Sequence, residues 1–361
     1  MKKFFLDSDI DEIVERLDTK GELEGKTILM SGARGFLGRY FIEIFKKMNQ
    51  DYFKKPVKII ALDNLITAGI IGSKIDEDPN IEFINYDITK PLEINQSIDY
   101  VIHAAGIASP HYYRIYPLET LDVAINGTRN MLNIAKEKKS KFLFFSSSEI
   151  YGDPDLKNIP TSEKYKGSVS TQGPRSCYDE GKRVGETLCY IFQNNYDVHT
   201  NIVRPFNFYG PGMQEKDYRV LPNFASRIKA KLPLKVYGKG NQTRTFCYIT
   251  DAIVGLFKVI IDGKNGEVYN IGNPNPEITM IDLVKIIKNV KNSEITFEII
   301  DYPDSYPSDE PNRRCPDIQK AIDHINYEPT VNLNEGLRRF LNWTDENFEG
   351  IQWILKKSKL V

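Results

Sequence analysis

The sequence predicts an α/β protein: a doubly wound parallel sheet with a smaller α/β domain attached. Short apolar runs alternate with helix-period segments over about 150 residues, the pattern of βαβ units. One unit carries a glycine-rich turn between strand and helix, Gly32-Ala33-Arg34-Gly35-Phe36-Leu37-Gly38. From residue 207 onward, Pro, Gly and aromatic residues break every run, which marks a change of domain. We expect an N-terminal extension over 1–25 and a Rossmann-type nucleotide-binding domain over 26–206 plus 246–272. A substrate-binding domain is expected over 207–245 plus 273–361.

With 361 residues, 41% hydrophobic and 27% charged, the chain has room for two unequal cores. A net charge of −1 gives no drive toward nucleic acid. Met1-Lys2-Lys3-Phe4-Phe5-Leu6 imitates a signal peptide, but Asp7, Asp9, Asp11 and Glu12 deny it an apolar core. No apolar run approaches a membrane span. The cysteines, Cys177, Cys189, Cys247 and Cys315, form no CxxC pair and no metal-like spacing. A cytoplasmic protein is expected, without metal, membrane or nucleic-acid partners, and with Cys177 the one thiol beside the proposed site.

Residues 7–18 read as an amphipathic helix capped by Asp7 or Ser8, with Ile10, Ile13, Val14 and Leu17 on its apolar side. Lys26–Ser31 is the first strand. The glycines after it let backbone pass close to a pyrophosphate, and the helix starting there offers free N–H groups and a positive dipole end. This is a dinucleotide fingerprint, with Gly32, Gly35, Phe36, Leu37 and Gly38 as its contacts. A second strand, Val57–Leu62, ends at Asp63-Asn64, some 25 residues beyond Gly38. A carboxylate there accepts from the adenosine ribose and repels a 2′-phosphate, so NAD is expected over NADP. Arg34 in the loop pulls the other way. The third strand, Ile81–Tyr86, ends at Asp87-Ile88, suited to an adenine amino group. The fourth, Tyr100–His103, runs into Ala104-Ala105-Gly106, small enough for a cofactor to lie across the strand end. His103 reads as a packed strand-end residue.

A helix is expected over Leu118–Glu137, with Asn126-Gly127-Thr128 inside it, a fifth strand at Phe142–Phe145 and a sixth at Thr200–Val203. Val268–Gly272 returns a strand, and Thr279–Lys291 and Asn334–Trp343 read as helices of the second domain. Its basic residues Arg219, Arg244, Arg313 and Arg314 stand singly in loops.

Two stretches carry the chemistry. Ser146-Ser147-Ser148-Glu149 presents hydroxyls and a carboxylate at a strand's carboxyl end, where open α/β sheets hold their ligands. Tyr178 and Lys182 share one face of a helix. A free phenol, with pKa about 10, is a poor base. A nearby ammonium and the positive ring of NAD⁺ favour the phenolate. With Ser147 bridging to the same oxygen, Tyr178 can take a proton from a secondary alcohol while hydride leaves for NAD⁺. Asp179 and Glu180 read as solvated helix-start carboxylates.

On these motifs, the sequence from about residue 26 to about 345 resembles the extended short-chain dehydrogenase/reductases that modify nucleotide sugars. Within them it is most similar to UDP-glucuronate decarboxylases. The likeness lies in Gly173-Pro174-Arg175-Ser176-Cys177-Tyr178-Asp179-Glu180-Gly181-Lys182-Arg183, in Ser148-Glu149-Ile150-Tyr151-Gly152-Asp153-Pro154 and in Arg314-Cys315-Pro316-Asp317-Ile318. Arg219-Val220 with Asn223, Val236-Tyr237 and Gln242-Thr243-Arg244 look like the nucleotide-diphosphate contacts. Three departures stand out: Ser147 takes a place where threonine is usual, Ala105–Tyr113 is only partly like the decarboxylase loop, and the N-terminal extension is unlike the family.

The resemblance implies oxidation of glucuronate at C4, loss of CO₂ from the β-keto acid, and return of hydride from NADH within one turnover. It gives Ser148 and Glu149 the orientation of the sugar and its protons. Arg314 then takes the carboxylate or the departing charge, and Asn207 the sugar or the backbone at the cleft. Related 4,6-dehydratases place Asp-Glu after the bridging hydroxyl, since expelling the C6 hydroxyl needs an acid. Ser148 stands there instead. Simple 4-epimerases do without the glutamate. The alternatives are a nucleotide-sugar 4-epimerase, a C4 dehydrogenase or 4,6-dehydratase, and, from another class, a non-catalytic NAD-binding regulatory protein. The resemblance further implies a homodimer pairing the helices near Leu118 and Tyr178, with Leu188, Ile191 and Phe192 as contacts.

Overall fold

The computed structural model describes residues 3–68, 78–302 and 311–350, so the last residues of the expected second domain, 351–361, lie outside the described residues. Its centre is a seven-stranded sheet in the order β11-β6-β5-β4-β1-β2-β3. The strands are β1 (Thr27–Ser31), β2 (Lys58–Asp63), β3 (Ile81–Asn85), β4 (Tyr100–His103), β5 (Lys141–Phe145), β6 (Thr200–Pro205) and β11 (Val268–Ile271). Every pairing in it is parallel. Strand order reverses between β1 and β4, so the crevice for a ligand opens at their carboxyl ends.

Because side chains alternate across a strand, the sheet feeds two cores. Ile28 and Met30 of β1, with Leu143 and Phe145 of β5, join the core that holds α1 (Asp7–Glu15), α2 (Phe36–Asp51) and α8 (Ile249–Asp262). Leu29, Phe142 and Phe144 face the other core, with α5 (Thr128–Lys138) and α6 (Ser176–Tyr196).

The first helix has Leu6, not Asp7 or Ser8, at its N-cap, and no side chain caps it. Asp9 is instead buried, where it accepts from Tyr248 Oη at 2.7 Å and Arg339 Nη1 at 3.1 Å. The helix expected from Leu118 starts a residue earlier. It runs as α4 (Pro117–Asp122), one π turn over Val123–Gly127, and α5. A short α3 (Pro110–Ile115) precedes it, with Pro110 at its first turn.

Further strands and helices follow or interleave with the central sheet. They are β7 (Phe208–Tyr209), α7 (Val220–Lys229), β8 (Leu234–Tyr237), β9 (Thr243–Arg244), β10 (Cys247–Tyr248), β12 (Ile278–Thr279), α9 (Met280–Lys291), β13 (Phe297–Ile300), β14 (Arg313–Arg314), α10 (Gln319–Ile325) and α11 (Leu333–Asn347). Arg244, Arg313 and Arg314 are not loop residues. The parallel pairing of β9 with β14 sets Arg314 beside Arg244. No described helix is long and apolar enough to cross a membrane.

Candidate active site

Gly32 ends β1 with φ +74°, and a Cβ there would fall 2.6 Å from the Ala105 amide nitrogen. Only glycine lets the turn pass the end of β4 so closely. Gly35, Phe36, Leu37 and Gly38 follow at the N-terminus of α2. Asp63 closes β2, accepting from the Arg34 amide at 2.8 Å and, through its other oxygen, the Leu65 amide at 2.8 Å. Each carboxylate oxygen keeps a second lone pair for a ribose hydroxyl. Asn64 Oδ1 accepts from the Ile66 amide at 3.1 Å. Asp87 accepts from the amide and hydroxyl of Thr89 at 3.0 and 2.8 Å, while buried Ile88 receives Asn130 on its carbonyl. Ala104 and Ala105 line the switch point with bonds to Ser31. This set fits a dinucleotide: a backbone cradle, a helix N-terminus and a carboxylate at the ribose position.

His103 is buried between Ser31 Oγ at 2.7 Å and Thr128 Oγ1 at 3.0 Å, and burial pushes it down to about 3. It is a neutral packing residue.

Beyond β5, Ser147 caps a 3-10 turn over Ser148–Tyr151, its Oγ accepting from the Glu149 amide at 3.2 Å. Ser147 also lies close enough to Tyr178, near the start of α6, to act on its phenol. Tyr113 stacks on the Tyr178 ring at 5.6 Å. Helix α6 approaches β5 closely because residue 185 is glycine; a Cβ there would overlap the Phe144 ring. Lys182 donates to the Phe145 carbonyl at 2.6 Å, and its ammonium sits 5.8 Å from the Tyr178 ring centroid.

The expected lowering of Tyr178 by Lys182 is not what this arrangement produces. Burial dominates, with the charges of Glu149 and Asp179 adding to it, and pushes Tyr178 up to about 12 against the Ser147 hydroxyl. Lys182 is itself pushed down to about 8 by burial.

Glu149 meets two arginines. Arg314 reaches it with both terminal nitrogens, Nη2 to Oε2 at 2.8 Å, and Arg175 pairs with the same Oε2. Burial raises this carboxyl, but the charges of Arg175, Arg314 and Arg244 and the Arg314 hydrogen bond outweigh it and hold Glu149 at about 2. Ser148 is buried beside it.

Asp179 is not solvated. It is buried, accepts from Arg175 Nε at 3.4 Å, and is pushed up to about 7 by burial and the Glu149 charge. Its Oδ1 has no hydrogen-bond partner among the described residues. Glu180 is half-buried beside Arg183.

Sequence reasoning missed Arg175 and Asp179 as members of the site, although both lie in the quoted motif. It also missed the support beneath the serine turn. Ser146 donates to Glu186, which forms a forked pair with Arg204 at 2.9 and 2.6 Å. Arg204 continues to Tyr151 Oη at 2.6 Å, and Tyr151 to Asn270 Oδ1 at 2.7 Å. Glu186 follows Lys182 by one helical turn, a spacing that was available as a signal.

The chain after β6 carries the other predicted residues. Arg219 forms an ion pair with Asp217, Nε to Oδ2 at 2.9 Å, and its charge bears on Tyr178. Val220 and Asn223 lie on α7 behind it. Arg244 donates to the Thr243 and Asn312 carbonyls, and its charge reaches Glu149. Val236 is buried on β8; Tyr237 stacks on Tyr302 at 5.8 Å, and its carbonyl accepts from Gln242 at 3.2 Å. Asn207 has φ +47° and donates to the Thr245 carbonyl at 2.8 Å, holding backbone at the cleft. Cys177 is half-buried against the Tyr113 carbonyl, and burial pushes its thiol up, away from reactivity.

A parallel sheet with a glycine loop at its switch point and a Ser/Tyr/Lys group at neighbouring strand ends defines an NAD-dependent enzyme of the short-chain dehydrogenase/reductase type. The chain belongs to the NAD dependent epimerase/dehydratase family, whose model matches residues 28–272. It is 38% identical over 315 residues to UDP-glucuronic acid decarboxylase 5 of Arabidopsis thaliana, covering 86% of each chain. To UDP-glucuronic acid decarboxylase 1 of Xenopus tropicalis it is 37% identical over 335 residues, covering 91% of this chain and 74% of the relative. Among solved structures, UDP-glucuronic acid 4-epimerase from Bacillus cereus, in complex with UDP-glucuronic acid and NAD, is similar at 26% identity and TM-score 0.72. That match covers 89% of this chain and all of the epimerase.

Proposed function

We propose that this enzyme decarboxylates UDP-glucuronate to UDP-xylose through a 4-keto intermediate. The observation that carries this reading is the forked Arg314–Glu149 pair beside Ser148 and Tyr178. A planar guanidinium already shaped around one carboxylate is the group to receive a sugar carboxylate. Similarity to decarboxylases over most of the chain supports it.

Bound NAD supplies the acceptor for the C4 hydride and the donor that returns one. Gly32, Gly35, Gly38, Asp63 and Lys182 hold and orient it. Tyr178 exchanges the proton of the C4 hydroxyl, with Ser147 bonded to the same oxygen. In the arrangement described above the phenol keeps its proton, and positive charge brought beside it converts it to a base. When the C5–C6 bond breaks, its electron pair passes into the C4 ketone and CO₂ leaves. Arg314 neutralises the charge that moves, and Ser148 and Glu149 align the water or hydroxyl that delivers a proton to C5. Arg219, Val220, Asn223, Val236, Tyr237, Gln242 and Arg244 are proposed to hold the nucleotide diphosphate, with the second domain binding the sugar nucleotide.

A UDP-glucuronate 4-epimerase is the second reading, favoured by the likeness to the Bacillus cereus structure. Incubation with UDP-[¹⁴C-carboxyl]glucuronate separates the two. Labelled CO₂ with a UDP-pentose supports decarboxylation. Complete label retention in a UDP-hexuronate rejects it.

We further propose a homodimer in a reducing, cytoplasmic setting, in keeping with four free cysteines. The contacts differ from expectation, because Leu188 and Phe192 are buried in the chain's own core. Leu118, Tyr190, Ile191 and Tyr196 are the exposed large apolar residues on the packed pair α4 and α6. Sedimentation of the Leu118→Glu variant as monomer, against a wild-type dimer, is the expected outcome.

A further inference from the structure

Arg175 stands at the junction of the two stretches that form the site. Its carbonyl accepts from the amides of Tyr178 at 2.9 Å and Asp179 at 3.0 Å, which opens α6. Its side chain, only 8% exposed, pairs with Glu149 on the turn after β5 and with Asp179 one helical turn along α6. One residue therefore fastens the turn carrying Glu149 to the helix carrying Tyr178. Arg314 reaches the same carboxylate from β14, which pairs with β9.

The two arginines are not equivalent. A carboxylate has acceptor sites for two guanidinium groups. A guanidinium engaged by both terminal nitrogens has spent the fork that recognises a second planar carboxylate. An incoming carboxylate at Arg314 thus displaces Glu149 from that fork. Arg175 is placed to retain it, since it also pairs with Asp179, which belongs to the same helix and moves with it. We propose that Arg175 is the positioning residue of this site: it keeps Glu149 aligned against Tyr178 while the substrate carboxylate takes Arg314. The inference rests on the proposed function, that the substrate carries a carboxylate.

The test is a cycle of Arg175→Met, Arg175→Lys, Glu149→Ala and the Glu149→Ala/Arg175→Met double variant, assayed with UDP-glucuronate for kcat, KM and retained NAD. Arg175→Met is expected to lower kcat about 10²-fold, as misplacement of a catalytic group does. KM should move less than about threefold, and NAD content should not change. Arg175→Lys should recover part of kcat. The double variant should be no slower than Glu149→Ala alone, because the tether then has nothing to hold. Independent, multiplying losses overturn the proposal, as does unchanged kcat in Arg175→Met. A raised KM at unchanged kcat also overturns it, because Arg175 would then bind substrate directly. Should the methionine variant not fold, Arg175→Lys and its cross with Glu149→Ala make the same comparison. Wild-type protein that releases no CO₂ sinks the decarboxylase reading and this inference with it. Wild-type turnover with an unimpaired Arg175→Met sinks the inference alone.

Discussion

Glu149 and Arg314 stand 165 positions apart in the chain and meet through a two-pronged ion pair across the cleft. Glu149→Gln leaves Arg175, Arg314 and Arg244 close together without their shared counter-charge. Breaking a buried pair from one side costs about 3 to 5 kcal/mol. The folded carboxyl lies at about 2, below its ordinary 4.5. Its stabilisation is therefore complete above pH 4.5 and is lost as pH falls through about 2. Urea midpoints should show a full gap between wild type and Glu149→Gln at pH 7, narrowing as pH drops below 4.5. A constant gap means the charge is not the cause.

Tyr178→Phe removes the hydroxyl that the proposed mechanism uses to exchange a proton with the substrate. Turnover should fall about 10²- to 10⁴-fold. The ring still stacks on Tyr113, so thermal stability and NAD content should stay near wild type. Loss of NAD together with activity would move Tyr178 from proton transfer to cofactor binding.

The central strands were legible because buried parallel strands read as apolar runs bounded by glycine, Asp or Ser. Ile28 to Met30 and Phe142 to Phe145 show this directly. The two-residue strands that bring Arg244 beside Arg314 carry no period at all, and only tertiary pairing makes them strands. Tyr178, Lys182, Ser147 and Glu149 could be singled out because each stands next to a recognisable strand end or helix face. Asp179 looked solvated because a helix-start carboxylate is normally exposed. Its burial depends on Arg175 and Glu149, and no local pattern records that. Leu188 and Phe192 were equally ambiguous, since an apolar helix face serves a core or a partner alike.

Gly185 is a close-approach glycine, and its alanine variant tests how far the site depends on backbone spacing. The added methyl must push α6 from the Phe144 ring or turn the ring out of the core. Overpacking of this kind costs about 1 to 3 kcal/mol. The shift also separates Tyr178 and Lys182 from Ser147 and the Phe145 carbonyl. Gly185→Ala should lower kcat along with stability. A destabilised variant with wild-type kcat would show that α6 moves without carrying the site.

Asp179 gives a stability signal of opposite sign to that of Glu149. Burial and the Glu149 charge raise its folded pKa from 3.8 to about 7. Proton uptake by the native state then favours folding fully below pH 3.8, and that benefit is lost as pH rises through about 7. Asp179→Asn, which cannot ionise, should gain thermal stability relative to wild type between pH 6 and 8. A difference in melting temperature that ignores pH would place the proton elsewhere.

Charge adds to the apolar packing of Ile10, Ile13 and Val14 that binds the N-terminal helix α1 into the fold. Arg339 of α11 donates to Asp9 at 3.1 Å and Glu12 at 2.6 Å, and Tyr248 completes Asp9 at 2.7 Å. Burial raises Asp9 to about 6, against the Tyr248 hydrogen bond and the Arg339 charge. Arg339→Met removes the only one of these influences that is a cation, so Asp9 must rise further or stay ionised unpaired. Asp9 is buried but Arg339 is partly solvated, so the loss should fall below the ~3 to 5 kcal/mol of a fully buried pair broken from one side. Because the folded pKa moves up, the deficit should deepen as pH rises from 6 to 8. Asp9→Asn in the same chain leaves no charge to strand and should return much of the loss at pH 8. Urea unfolding of wild type, Arg339→Met and the Asp9→Asn/Arg339→Met pair decides it. If the double variant is no more stable than Arg339→Met at pH 8, packing by the arginine stem, and not the Asp9 charge, holds α1 in place.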